Sequence, residues 1–235
     1  GLKPKEICSI SIMPCVSKKR EASLLSMRSS GTHDIDIVLT TREFVRLLKA
    51  EHINPATLPE EEFDNPLGKS TGAAVIFGVT GGVMEAALRT AYFALTRTEA
   101  PADAFVDVRG EKGRKVREFT IAGKTLRTCT VSGLGNAGRL IEDLQAGKVH
   151  YDFVEVMACP GGCVGGGGQP IHDGQERAGM LGKKLYKLDD ERKLRQSHNN
   201  PDVVTLYSEY LEKPLSERAE RLLHSNHVKE KNYLV

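Results

Sequence analysis

One segment constrains this chain more than any other: Glu155-Val156-Met157-Ala158-Cys159-Pro160-Gly161-Gly162-Cys163-Val164-Gly165-Gly166-Gly167-Gly168-Gln169-Pro170. Two thiols stand four residues apart, with a proline and two glycines between them and four more glycines just beyond. Glycine lets a backbone take positive φ and come close to a bulky group, so that amides face sulfide or thiolate sulfurs while both cysteines point inward. Soft thiolates are the ligands that iron-sulfur clusters take. A phosphate-cradling loop would end in Gly-Lys-Ser or Gly-Lys-Thr, and this one does not. Structural zinc would call for paired cysteines two residues apart with a second pair elsewhere, and there is no second pair.

The rest of the composition is that of an ordinary globular protein. Of 235 residues, 40% are hydrophobic and 27% charged, enough to bury one or two cores. Basic residues number 33 against 31 acidic, and a balance of +2 gives no reason to propose a nucleic-acid or anionic-membrane surface. The clusters Lys18-Lys19-Arg20 and Lys183-Lys184 read as solvated faces or helix ends. No stretch reaches the roughly 18 apolar residues of a membrane helix, and no basic-then-apolar leader opens the sequence. Five cysteines without a secretory signal argue against a disulfide framework and for a reducing compartment, expected to be the cytoplasm, where thiols serve metals or catalysis.

Along the chain, Ile7 to Ile12 reads as a buried strand running into Met13-Pro14-Cys15. Ile35 to Leu39 is a second strand, followed by a capping box from Thr40 to Glu43 and a helix carrying Phe44, Val45, Leu47 and Leu48. Ala73 to Phe77 reads as a further apolar strand before the turn Gly78-Val79-Thr80-Gly81-Gly82 and a helix from Val83 to Ala94. Val116 to Val131 alternates as a hairpin about Ala122-Gly123-Lys124. Asn136 is placed to cap a helix with Leu140, Ile141 and Leu144, and Tyr151 to Met157 is a strand ending at the cysteine cluster. Asn200-Pro201 opens another helix, and a last one ends near His224. The expectation is one α/β unit in two lobes, with its site-forming segments at strand ends.

Cys15 lies in Met13-Pro14-Cys15-Val16-Ser17-Lys18-Lys19-Arg20-Glu21, where Lys18 could place a cation beside an anionic cofactor. The Gly78 to Gly82 turn departs from G-x-G-x-x-G and has no acidic partner, so it reads as a tight turn joining strand to helix. Cys8 and Cys129 fall in strand patterns and read as core thiols.

These segments resemble FeFe (iron-only) hydrogenases, whose second and third signature motifs read M-P-C-x-x-K-x-x-E and E-x-M-x-C-x-x-G-C-x-x-G-G-G-Q-P, with every fixed position present here. The stretch from Phe63 to Arg89 and the end from Ser197 are also similar to that family. The resemblance implies a large-subunit-like α/β fold, mostly parallel sheets flanked by helices in two lobes with a cluster between them, spanning residues 1–235 as part of the catalytic domain. It implies an H-cluster: a 4Fe-4S cubane joined through a cysteine sulfur to a di-iron unit bearing CO, cyanide and a dithiolate. Carried over by position, Cys15, Cys159 and Cys163 would be three of the four cubane ligands, with Cys163 bridging to the di-iron unit. Lys18 would hydrogen-bond a cyanide. Met13 and Met157 would give soft contacts around the cofactor. Phe77 would be an apolar wall, a position equally compatible with core packing. Glu21 and Glu155 are assigned to loop-fixing hydrogen bonds and ion pairs. The implied activity is reversible reduction of protons to H2 in an anaerobic setting, with a non-catalytic or sensory cluster-binding module as the alternative.

The family's first motif, T-S-C-C-P, which supplies the fourth cysteine, is not in this sequence. The expected partners are therefore an upstream segment or second chain carrying that cysteine, a ferredoxin-type donor or NAD(P)-linked redox subunits, and maturation proteins. A strand so near Gly1 would need neighbours that preceding sequence normally provides.

Overall fold

A computed structural model describes residues 1–110, 113–171, 174–175 and 177–224. The chain divides into two compact units. One comprises Gly1–Glu61, Gly167–Gly174 and Thr205 onward; the other comprises Glu62–Gly166 and Gln175–Val204.

The first unit is built on two parallel strands, β1 (Ile10–Met13) and β2 (Ile37–Thr40), with Ile10 opposite Ile37 and Met13 opposite Thr40. Helix α1 (Ser17–Ala22) follows β1, and α2 (Thr41–Ala50) follows β2 directly. The capping box forms as expected. The Thr40 hydroxyl accepts from Glu43 N at 3.2 Å, and the Glu43 carboxylate accepts from Thr40 N at 2.8 Å. The first strand is shorter than expected and is not buried. Pro4 to Glu6 form a 3-10 turn that takes Ile7 out of the ladder, and with a single neighbouring strand Ile10 and Ile12 remain 58% and 47% exposed. Cys8 is correspondingly exposed rather than a core thiol.

The second unit holds a three-stranded sheet in the order β3 (Gly113–Ile121), β4 (Lys124–Ser132), β5 (Phe153–Met157). The expected hairpin is present, joined at Ala122–Gly123, and β4 pairs with β5 in parallel, Ser132 opposite Met157. The run expected as a strand, Ala73 to Phe77, is instead helix α3 (Gly72–Ile76). Periodicity cannot type so short an apolar run, and here Thr71 decides it: its hydroxyl accepts from Ala74 N at 3.1 Å as an N-cap. Helix α4 (Gly82–Thr96) follows the glycine turn. Helix α5 (Leu134–Gln145) begins two residues before Asn136; Gly133 is its cap, and the Asn136 amide reaches back to donate to the Ser132 carbonyl at 2.6 Å.

Helix α6 (Ala178–Glu191) packs on α3, where a side chain at Gly72 would run into the Asp189 carboxylate. Asn200 caps α7 (Pro201–Leu206), its side-chain oxygen accepting from Asp202 N at 3.0 Å. Helix α8 (Glu217–Leu223) ends at His224 as expected. One apolar core gathers Met84, Leu88, Phe105, Val108 and Ile121; a second gathers Cys129, Val131, Leu140 and Tyr151. No described helix is long and apolar enough to cross a membrane.

Candidate metal centre

In the first unit, β1 delivers Met13, half-buried, and then Pro14 and Cys15. The start of α1 carries Lys18, whose ammonium meets both oxygens of Glu21 at 2.8 and 2.6 Å. Glu21 thus serves as a tether. Lys19 leaves in another direction, to Glu43 at 2.9 Å and the Val38 carbonyl at 2.9 Å, and so joins α1 to the capping box. Gly168 lies over the Pro14–Cys15 turn and donates its amide to the Pro14 carbonyl at 3.0 Å.

In the second unit, β5 delivers Met157, 9% exposed, and then Cys159 and Cys163. The loop folds on itself through Gly162 N to Cys159 O (3.0 Å), Gly165 N to Gly162 O (3.0 Å) and Gly166 N to Cys163 O (2.9 Å). It is also laced to the glycine turn before α4: Thr80 N donates to Gly161 O at 3.2 Å, and Val164 N to Gly78 O at 2.9 Å. Gly162 is the tightest point. Its φ is +97°, and a Cβ there would sit 2.7 Å from Thr80 N. The turn noted in the sequence is therefore the platform on which the cysteine loop rests.

Glu155 fixes that platform. Its carboxylate accepts from Gly81 N at 2.5 Å and Met84 N at 2.7 Å, across the first turn of α4. Burial pushes its pKa up, although those amides act the other way. Phe77, just past α3, is 47% exposed and so is not packed away in the core.

Sequence reasoning missed two residues. Arg42, in the first turn of α2, binds the third-motif backbone, and nothing in its local pattern signals this. Thr80 has a buried hydroxyl with no hydrogen-bond partner among the described residues. Its signal was its place inside the glycine turn.

None of the five cysteines is in a disulfide. Cys129 is fully buried, and burial raises its thiol pKa, so it is a core thiol as expected. Among the described residues no three His, Cys, Asp or Glu side chains converge on a point as they would around a single ion. Cys15 and Cys159 are half-buried and Cys163 is exposed; Gly168 lies close against the Cys15 amide, and Gly162, just before Cys163, is pressed on the backbone of residues 78–80. Within each unit the thiol donors are of the soft kind that iron-sulfur groups take.

The model of the iron-only hydrogenase large subunit, C-terminal domain, matches residues 1–167, and that of the iron hydrogenase small subunit matches residues 181–230. The NADP-reducing hydrogenase subunit HndD of Solidesulfovibrio fructosivorans is 47% identical over 232 residues, 97% of this chain and 39% of that protein. The cytosolic iron-sulfur assembly component 3 of Mus musculus is 32% identical over 234 residues, 96% of this chain and 48% of that protein. Among solved structures, a variant of the FeFe hydrogenase HydA1 of Chlamydomonas reinhardtii aligns with a TM-score of 0.77 at 40% identity, covering 95% of this chain and 63% of that one. The chain thus spans less than half the length of these two curated relatives. With the large-subunit model matching most of its length and this fold beneath it, the chain belongs to the iron-only (FeFe) hydrogenase family.

Proposed function

We propose that the chain supplies most of the catalytic site of a hydrogenase that interconverts protons and electrons with H2, holding an H-cluster through Cys15, Cys159 and Cys163. The observation that carries this reading is the shared construction of the cysteine loops. Each leaves the C-terminal end of a parallel-paired strand and is pressed against glycine backbone. When bound, the group supplies the redox chemistry itself. The chain's part is ligation, orientation and charge. Lys18 has three N–H donors and spends two contacts on Glu21, which leaves one for a cyanide. Met13 and Met157 would offer soft apolar contact, Phe77 an apolar wall, and Cys163 a thiolate.

The fourth thiolate comes from an upstream segment or a second chain. Electrons come from a ferredoxin-type or NAD(P)-linked partner; the Solidesulfovibrio relative is an NADP-reducing hydrogenase subunit. Small-subunit-like sequence, by contrast, is carried within this same chain.

The test is anaerobic maturation with a chain that carries the first cysteine motif. Infrared bands of CO and cyanide, with H2 evolution from a reduced donor, are expected. Their absence under full maturation would sink the reading. The second reading, a non-catalytic cluster-binding module, is favoured by the resemblance to the mouse iron-sulfur assembly protein. It predicts iron and sulfide without CO or cyanide bands, and a Lys18→Ala variant that behaves as the parent does.

A further inference from the structure

We propose that Arg42 is a positioning residue of the cysteine site, holding the glycine strap 167–169 against the Pro14–Cys15 turn. The inference rests on the reading of Cys15 as a cluster ligand. Three consecutive carbonyls are taken by this one residue. Its Nη2 donates to Gly167 O at 2.6 Å, its backbone N to Gly168 O at 2.9 Å, and its Nε to Gln169 O at 3.1 Å. The strap answers with Gly168 N to Pro14 O at 3.0 Å, so it is stitched on one side to α2 and on the other to the turn that carries Cys15.

The fit is close. A Cβ on Gly168 would lie 2.9 Å from Pro14 C and 3.0 Å from both Cys15 N and Thr40 Cβ. The strap therefore touches the backbone of Cys15.

Helix geometry explains why this residue can do it. The first amides of a helix have no partner inside it. In α2 the Thr40 hydroxyl satisfies Glu43 N, and the strap's Gly168 carbonyl satisfies Arg42 N. Thr40 is in turn fixed by Glu43, and Glu43 by Lys19, so the guanidinium swings from an anchored base. Its planar fork reaches the carbonyls on either side of the one its own amide holds, which the single ammonium of a lysine cannot do. The electrostatic consequence follows. A carbonyl oxygen carries partial negative charge, and a loose glycine strap is free to turn one toward a thiolate. With three successive carbonyls engaged by Arg42, the strap cannot turn them on the sulfur of Cys15.

The experiment uses the full chain as parent, R42A, R42K and R46A; Arg46 is exposed on the same helix and serves as control. In the metal-free form, alkylation by iodoacetamide is followed at each cysteine by mass spectrometry. In R42A, Cys15 is expected to react at least about tenfold faster, since the two guanidinium hydrogen bonds to the strap are lost and each charge-assisted bond is worth about that factor in a local opening. Cys8 and buried Cys129 should keep parental rates. R42K should fall between, and R46A should match the parent. After anaerobic reconstitution with iron, sulfide and a chain that carries the first cysteine motif, R42A should lose its cluster faster to a chelator and show a shifted midpoint potential and an altered electron paramagnetic resonance signal. Unchanged Cys15 reactivity, or acceleration of all cysteines together, overturns the inference. So does a cluster in R42A with parental lability and potential. If the parent, reconstituted together with a chain that carries the first cysteine motif, takes up no iron and sulfide, the cluster reading fails, and the Arg42 role falls with it.

Discussion

Replacing Asp189 by alanine should be among the most damaging single changes in the chain that touch no cysteine. The Asp189 side chain is fully buried, and four N–H groups converge on it: Arg89 Nη1 and Nη2 at 3.1 and 2.7 Å, and Arg195 Nε and Nη2 at 3.4 and 2.7 Å. Arg89 also binds Glu85 at 2.6 Å, and Glu85 is gripped by Arg109, whose guanidinium stacks at 4.0 Å over the Tyr186 ring. Burial opposes the Asp189 charge, yet the two arginines hold its pKa below the ordinary value. Removing the carboxylate leaves Arg89 in the interior with one partner where it had two. Breaking a buried pair from one side costs about 3–5 kcal/mol. For a chain of this size each kcal/mol moves the melting temperature by about 2–4 °C, so the melting point should fall by roughly 6–20 °C. Calorimetry on the parent, D189A and the double variant R89M/D189L would measure it. The double variant should regain most of the loss, because it buries apolar groups where the single variant strands a charge. A D189A melting point within about 2 °C of the parent, or a double variant no better than the single one, would refute this account of the network.

Three further outcomes are expected. Gly162→Ala should abolish iron and sulfide uptake on anaerobic reconstitution, because its Cβ would meet Thr80 N at 2.7 Å with φ at +97°. Glu43 is held at a pKa of about 2, against an ordinary 4.5, by the Thr40 amide, Lys19 and the Thr40 hydroxyl. Its contribution to stability is therefore full above pH 4.5 and lost as pH falls from there to about 2, and E43Q should flatten the acid-unfolding profile in that window. Thr80→Val removes a buried hydroxyl that has no partner among the described residues, so urea unfolding of the metal-free chain should show stability unchanged or raised by about 1 kcal/mol.

The parts of this structure that were readable from sequence are those where local chemistry decides. The Thr40–Glu43 box, the hairpin and the Asn200–Pro201 helix start each involve partners within a few residues, and each formed where expected. Ala73 to Phe77 failed because a short apolar run suits a buried strand or a buried helix equally, and the cap at Thr71 lies outside the run. Ile10 and Ile12 were read as buried because isoleucine in a strand usually is; their exposure depends on how many strands lie alongside, which no local pattern reports. The cysteine positions stood out because their motifs are long. Arg42 did not, since its partners lie 125 to 127 residues away and are carbonyls, which every residue has.

The Asp189 network also bears on how such a chain is put together. Arg89 and Glu85 lie in the stretch that matches a large subunit, while Asp189 and Arg195 lie in the stretch that matches a small one. A charge cluster inside one polypeptide thus also links the stretches matched by two family models. A joint with four fixed N–H contacts on one buried carboxylate is selective as well as strong. A neutral residue in place of Asp189 would leave buried Arg89 with Glu85 alone and Arg195 with Asp190 alone, so the desolvation cost of the two guanidinium groups would no longer be offset at their shared carboxylate.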